Sequence, residues 1–136
     1  MARSPSTQPT DGELSILHAL WSLGPCELGQ VCAHLRQQRE IATTTVATML
    51  RVMMNKGLAK RTKGPNGWLW SARVSRRATA GQMLGKLLDH VFDGSAQLLM
   101  MHLIDGANLA PEDLQELRDL LDARHELVAA ENAKKP

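Results

Sequence analysis

Up to Gly57 the apolar residues recur at helical spacing, from Leu58 to Arg73 they alternate, and from Ser75 onward the helical spacing returns. A helix repeats its faces about every 3.6 residues and a strand every second one, so this chain must set a short β unit between helical segments. Residues 58–62 and 68–73 are the strand-like runs, and Lys63-Gly64-Pro65-Asn66-Gly67 between them is a strong turn signal. In the second run Trp68 and Trp70 fall on one face and Leu69 on the other.

Before the β unit the pattern predicts three helices. The first covers residues 11–22, with Leu14, Leu17 and Trp21 on one stripe, Thr10 as N-cap, Glu13 at the capping-box position and Gly24-Pro25 as the stop. The second covers about residues 27–37, with Leu28, Val31, Cys32 and Leu35 along one side. The third covers about residues 43–55, with Val46, Met49, Leu50 and Met53 facing inward, and Gly57 follows where a left-handed residue closes a helix. Three helices and then a hairpin describe a winged helix-turn-helix.

The C-terminal part reads as three more helices. Met83, Leu84, Leu87, Leu88, Val91 and Phe92 form a wide apolar face that ends at Asp93-Gly94. A short helix over residues 95–104, carrying Leu99, closes at Gly106. The last helix starts near Pro111, which suits a first turn, with Glu112 and Asp113 placed to meet the helix dipole. Its stripe contains Leu114, Leu117, Leu120, Leu121, Leu127 and Val128. Roughly sixty residues in three helices are too few to enclose a core of their own. The simplest remedy is a two-fold dimer, with Leu84, Leu87, Leu88, Val91, Phe92, Leu99, Leu114, Leu117 and Leu121 as its contacts. The expected class is mainly α with a small β-hairpin wing. Residues 1–9 form a disordered arm, 10–74 the winged-helix domain, 75–130 the helical dimerisation region and 131–136 a frayed tail.

Charge assigns these parts different partners. The net charge of +2 hides a division: residues 1–77 hold 11 basic and 4 acidic side chains, and residues 78–136 hold 5 basic and 10 acidic. Between Glu40 and Asp89 there is no acid, yet nine Lys/Arg fall there. A polyanion is the natural partner of such a stretch. No run approaches the ~18 apolar residues of a membrane span. The polar first ten residues lack the apolar core of a secretion signal, and two cysteines, Cys26 and Cys32, make no disulfide framework. The chain reads as cytoplasmic. Its five histidines and two cysteines form no recognisable metal set, and no nucleophile triad, phosphate loop or dinucleotide glycine pattern stands out. No cofactor and no enzymatic activity are expected.

The third helix carries the expected chemistry. Opposite its apolar face lie Thr43, Thr44, Thr45, Ala47, Thr48, Arg51 and Asn55. Small side chains let a helix enter a major groove, where hydroxyls reach bases or phosphates, methyls touch thymine, and an arginine reaches guanine or phosphate. A solvated threonine face is the plainer reading of such a helix, but the turn before it and the basic hairpin after it favour DNA. The hairpin adds Lys60, Arg61, Lys63 and Arg73 for the phosphate backbone; a charged strand edge that blocks aggregation is the plainer reading there. Trp68 and Trp70 are expected to pack the wing onto the body rather than to stack on single strands. Three functions stay open: a dimeric DNA-binding repressor, a winged-helix module docking an acidic protein, and a small-molecule-responsive regulator, for which the sequence argues no pocket.

A resemblance bears on that choice. Thr10-Asp11-Gly12-Glu13-Leu14 followed by Trp21 resembles the TxxE…W opening of the penicillinase-repressor family. Residues 42–58, ATTTVATMLRVMMNKGL, are similar to its recognition helix, in which TTV, a second Thr and a terminal Lys-Gly recur. Trp68-Leu69-Trp70-Ser71 stands where the family has aromatic-x-aromatic in its wing, and residues 109–121, LAPEDLQELRDLL, resemble its final dimerisation helix. The likeness spans about Thr10 to Leu127. It implies a homodimeric bacterial repressor on an inverted-repeat operator. It also implies a membrane-embedded metallopeptidase sensor system that leads to cleavage in the C-terminal domain, near His102-Leu103 by register. One branch senses copper through Cys-x-Cys near the C-terminus; with no cysteine after Cys32, that route is excluded here. Ala42, where the family often has a capping Ser, and Met54 and Asn55 are departures that bear on which operator is read.

Overall fold

A computed structural model describes residues 8–106 and 108–134. Among them the order is α1 (Asp11–Leu23), α2 (Leu28–Arg36), α3 (Thr43–Asn55), β1 (Ala59–Gly64), β2 (Gly67–Ala72), α4 (Arg76–His90), α5 (Ala96–Gly106) and α6 (Pro111–Lys134). The chain divides into two compact units, one ending at Lys86 and the other beginning at Leu87. None of the described helices is long and apolar enough to cross a membrane.

Local chemistry fixes the helices of the first unit. At α1 the capping box forms in both directions: the Glu13 N–H donates to Thr10 Oγ1 at 3.2 Å, and the Thr10 N–H donates to Glu13 Oε1 at 2.9 Å. The buried face of α1 is Ile16, Leu17, Ala19 and Leu20, with Leu14 and Trp21 packed at its margins. The expected Leu14–Leu17–Trp21 stripe was therefore rotated, because α1 carries apolar residues over a wide arc whose centre lies at Leu17 and Leu20. α2 is a residue shorter at each end than expected, with the Glu27 N–H donating to Gln30 Oε1 at 2.8 Å just outside it.

α3 buries Val46, Leu50 and Met53 and leaves Met49 half-buried. It ends in a Schellman motif: the Gly57 N–H donates to Met54 O at 3.2 Å and the Leu58 N–H to Met53 O at 2.8 Å, with Gly57 at φ 81°.

The hairpin pairs in the register Ala59↔Ala72, Arg61↔Trp70, Lys63↔Trp68 and Gly64↔Gly67. The connection is thus the two residues Pro65-Asn66, not the five expected. The glycines that looked like turn residues close the ladder: Gly67 sits at φ 124°, and a Cβ at Gly64 would lie 2.7 Å from Leu69 Cγ. On its other side β2 makes a bridge to the segment before α2. The Cys26 N–H donates to Trp70 O at 3.0 Å and the Trp70 N–H to Cys26 O at 2.7 Å. These bonds and the buried Leu58, Ala59 and Trp70 seat the wing on the helices.

Two expectations about the ends change. Of the arm, residues 1–7 lie outside the described residues; Pro9 is buried, and the Gln8 carbonyl accepts from Lys56 Nζ at 3.4 Å. The tail expected to fray from residue 131 is helical through Lys134, and residues 135–136 lie outside the description. The border between the two compact units falls inside α4, at Lys86/Leu87, and Thr79 near the start of that helix is buried.

The second unit is built differently. Neither α5 nor α6 contains a buried residue. Ser95 caps α5, accepting from the Leu98 N–H at 3.1 Å, and Asp113 Oδ2 accepts from the Ala110 N–H at 3.1 Å before α6. The bend between α4 and α5 uses Asp93 at φ 51° and Gly94 at φ 77°. Phe92 meets His102 edge-on with ring centroids 5.3 Å apart. Among the expected dimer contacts, Leu84, Leu87, Val91, Leu114 and Leu121 are exposed, and Leu88, Phe92, Leu99 and Leu117 are half-buried.

Candidate nucleic-acid interface

The outer face of α3 is open to solvent where the DNA-reading residues were expected. Thr43, Thr44, Thr45, Thr48, Arg51 and Asn55 are exposed, and Ala47 is half-buried. The hydroxyls are not equivalent. Thr48 Oγ1 donates to Thr44 O at 2.9 Å, so its lone pairs and methyl are what it can offer outward. Thr43 Oγ1 accepts from the Arg36 guanidinium at 2.8 Å, which leaves its O–H for a phosphate or base. Arg36 Nε also donates to Ile41 O at 3.1 Å, so this arginine braces the turn between α2 and α3. Sequence reasoning missed Arg36, since nothing in a seven-residue separation announces the contact until the turn is built. The N-cap Ala42 makes no side-chain cap hydrogen bond, consistent with its lack of a side-chain acceptor.

On the wing, alternation sorts the cations. Arg61 and Lys63 stand opposite Trp70 and Trp68 and share their face; Lys60 lies on the other face of the hairpin. A cleft of about 310 Å³ between α3, the start of α2 and the wing is lined by Ala47 and Arg51 on one side and Arg61, Asn66, Trp68 and Trp70 on the other. The structure therefore joins Ala47, Arg51 and Arg61 in one site. Thr43, Thr44, Thr45, Thr48, Asn55, Lys60, Lys63 and Arg73 do not line it. Glu27 does, putting a carboxylate on a cleft that the charge count had described as basic.

The two wing tryptophans part company. Trp70 is 5% exposed and packs in the core as expected, whereas Trp68 is 42% exposed and does not pack the wing onto the body. Its ring instead lies under Arg61, whose guanidinium carbon is 4.1 Å from the Trp68 centroid and 5.5 Å from that of Trp70. Such a stack holds a guanidinium plane in one orientation.

A further cation of the acid-free stretch is turned inward. Lys56 Nζ lies 2.6 Å from Glu13 Oε1, with both side chains largely buried. Burial alone would raise the Glu13 pKa; the hydrogen bond and charge of Lys56 and the Thr10 bonds outweigh it, and the net shift is downward. Cys26 and Cys32 are buried free thiols, and burial pushes the Cys26 pKa up. Among the described residues no three His, Cys, Asp or Glu side chains come together as a metal site.

A model of the penicillinase repressor family matches residues 9–123. The chain belongs to the penicillinase-repressor family. Membership makes it a winged-helix DNA-binding transcriptional repressor and not an enzyme. The repressor is 18% identical over 110 residues to the penicillinase repressor of Staphylococcus aureus, covering 81% of this chain and 87% of that protein. Among solved structures it is similar to monomeric BlaI of Bacillus licheniformis in complex with the blaP half-operator, with TM-score 0.46, 20% identity and coverage of 51% of this chain and 84% of that one. It is also similar to BpsR of Bordetella bronchiseptica, with TM-score 0.48, 19% identity and coverage of 90% and 83%.

Proposed function

We propose that the repressor binds an inverted-repeat operator as a homodimer in the cytoplasm, one α3 in the major groove of each half-site and one wing against the adjoining backbone. The observation that carries this reading is that Ala47 and Arg51 of α3 face Arg61 of the wing across a single cleft, beside an exposed run of threonines on the same helix. Thr43, Thr44, Thr45, Ala47 and Thr48 let the helix approach base edges, and Arg51 reaches from its middle. Arg61 and Lys63 meet phosphates from the cleft side of the wing, with Lys60 and Arg73 meeting backbone beyond it. The second copy covers the apolar residues that α4, α5 and α6 leave exposed, and the excess of acid in that part keeps it off the DNA.

Two half-sites held in one dimer bind with high effective concentration, so loss of the dimer loses the operator. Derepression by proteolysis fits that linkage, with a membrane-embedded metallopeptidase sensor system as the partner implied by the family resemblance. The His102-Leu103 bond lies inside α5 on an exposed stretch, so a protease that takes an extended substrate has to unwind α5 there.

A gel-shift series on the DNA upstream of the genes it controls tests the operator reading. If a dimer neutralises about eight phosphates, affinity falls about 10⁴-fold between ~50 and ~200 mM salt. Salt-insensitive binding, or equal binding to scrambled sequence, sinks the proposal.

A further inference from the structure

We propose that Trp21 sets the half-site spacing that the repressor accepts, by fixing the direction in which α4 leaves the winged unit; this rests on the homodimer reading above. Trp21 lies at the margin of the α1 core, and its ring reaches the start of α4. Its Nε1–H donates to Val74 O at 2.9 Å, across 53 positions of sequence. The Arg76 guanidinium carbon lies 5.4 Å from its centroid, and His18 meets its edge at 5.4 Å. Val74 and Arg76 flank Ser75, whose own groups are also occupied. Ser75 Oγ accepts from the Ala78 N–H at 3.0 Å, and Ser75 O accepts from Thr79 Oγ1 at 2.8 Å. Thr79 is 5% exposed.

The carbonyls of two consecutive residues are therefore held, one by α1 and one by α4 itself. What the sequence pattern marks as a domain border is a pinned joint. From it α4 runs unbroken to His90, bearing Leu84, Leu87 and Leu88, three of the proposed dimer contacts.

In a two-fold dimer the distance between reading helices is set by whatever joins each to the shared contact. Half-sites lie about 34 Å apart for one helical turn, and each added base pair shifts one of them by about 3.4 Å and turns it by about 34°. A loose joint absorbs such a change; a pinned one resists it. An indole suits the task because it supplies both a flat face for Arg76 and a hydrogen-bond donor for Val74 O. Phenylalanine keeps the face and loses the donor.

The probes are duplexes bearing the inverted repeat that the full-length protein selects from random-sequence DNA, with spacers changed by one and two base pairs, and a single half-site. The wild type is expected to lose about tenfold or more in affinity on a one-base-pair change, as half-sites stop being engaged together. Trp21→Phe is expected to shrink that difference to about threefold or less while its half-site affinity matches the wild type. Arg76→Gln, which leaves the core intact, should flatten the profile in the same sense and serves if Trp21→Phe does not fold. Folded variants with the wild-type spacing profile overturn the assignment. A wild type that favours the repeat over the half-site but ignores spacing overturns it too, and leaves the dimer standing. A wild type that binds repeat and half-site alike overturns the dimer reading and this one with it.

Discussion

Arg51 and Arg61 approach the same cleft from α3 and from the wing, but they are held differently. Arg61 is stacked on Trp68, whereas Arg51 is exposed. Arg51→Ala is expected to cost about 1–3 kcal/mol of operator binding and to relax preference at one base-pair position, as measured with a panel of single-base variants. A uniform loss across the panel would assign Arg51 to a phosphate. Glu13 makes a second prediction at this scale. Its pKa is lowered from the usual 4.5, so it favours the folded state above that pH and loses the contribution as pH falls through its folded value. Glu13→Gln leaves Lys56 charged and largely buried, and should cost about 3 kcal/mol at neutral pH in urea unfolding. The deficit relative to wild type should narrow below about pH 4.5; a constant deficit contradicts the pairing. The capping role of Glu13 was legible in Thr10-Asp11-Gly12-Glu13. Its ion pair was not, because Lys56 lies 43 positions away and only the packing of α1 beside α3 brings them together.

The elements themselves were read from caps and periods, and the match is closest where both signals agree. α3 has inward residues at helical spacing and Gly57 behind it, and its observed span is the expected one. The hairpin tip was misjudged because glycines serve turns and close ladder ends alike, and local sequence does not separate the two. The same glycines make the wing sensitive. Gly67→Ala forces a side chain into φ 124° and should cost about 1–3 kcal/mol. The check is a lower urea midpoint together with weaker operator binding. Trp68 and Trp70 show the limit of alternation as a guide. Both point to one face, but the body covers only Trp70, and Arg61 covers the other.

For the molecule as a whole, the change of period from helical to alternating and back was enough to order the parts. The division of charge assigns the polyanion to the N-terminal part, which is the assignment proposed above. Neither could place the joint at Trp21, which depends on a hydrogen bond between α1 and the residues after β2. The apolar stripes of α4 and α6 were legible, and among the described residues they remain uncovered: Leu121 is 60% exposed and Leu84 50%. A charge there should be tolerated by the monomer and rejected by a two-fold contact. Leu121→Glu is expected to sediment as a monomer at concentrations where the wild type is a dimer, with half-site binding retained and repeat binding reduced. A variant that stays dimeric places the contact elsewhere.

The backbone bridge between Cys26 and Trp70 doubles as a clock. Cys26 is 1% exposed, and its Sγ lies 3.9 Å from Trp70 O on the wing's own β2. Lifting β2 away opens it to a thiol reagent, and burial suppresses the reactive thiolate until then. In a Cys32→Ser background, the rate of Cys26 alkylation under excess reagent therefore counts wing departures. Operator DNA held by the wing should slow that count, and DNA of unrelated sequence should slow it less. Equal rates with and without operator would mean that the wing takes no part in holding DNA.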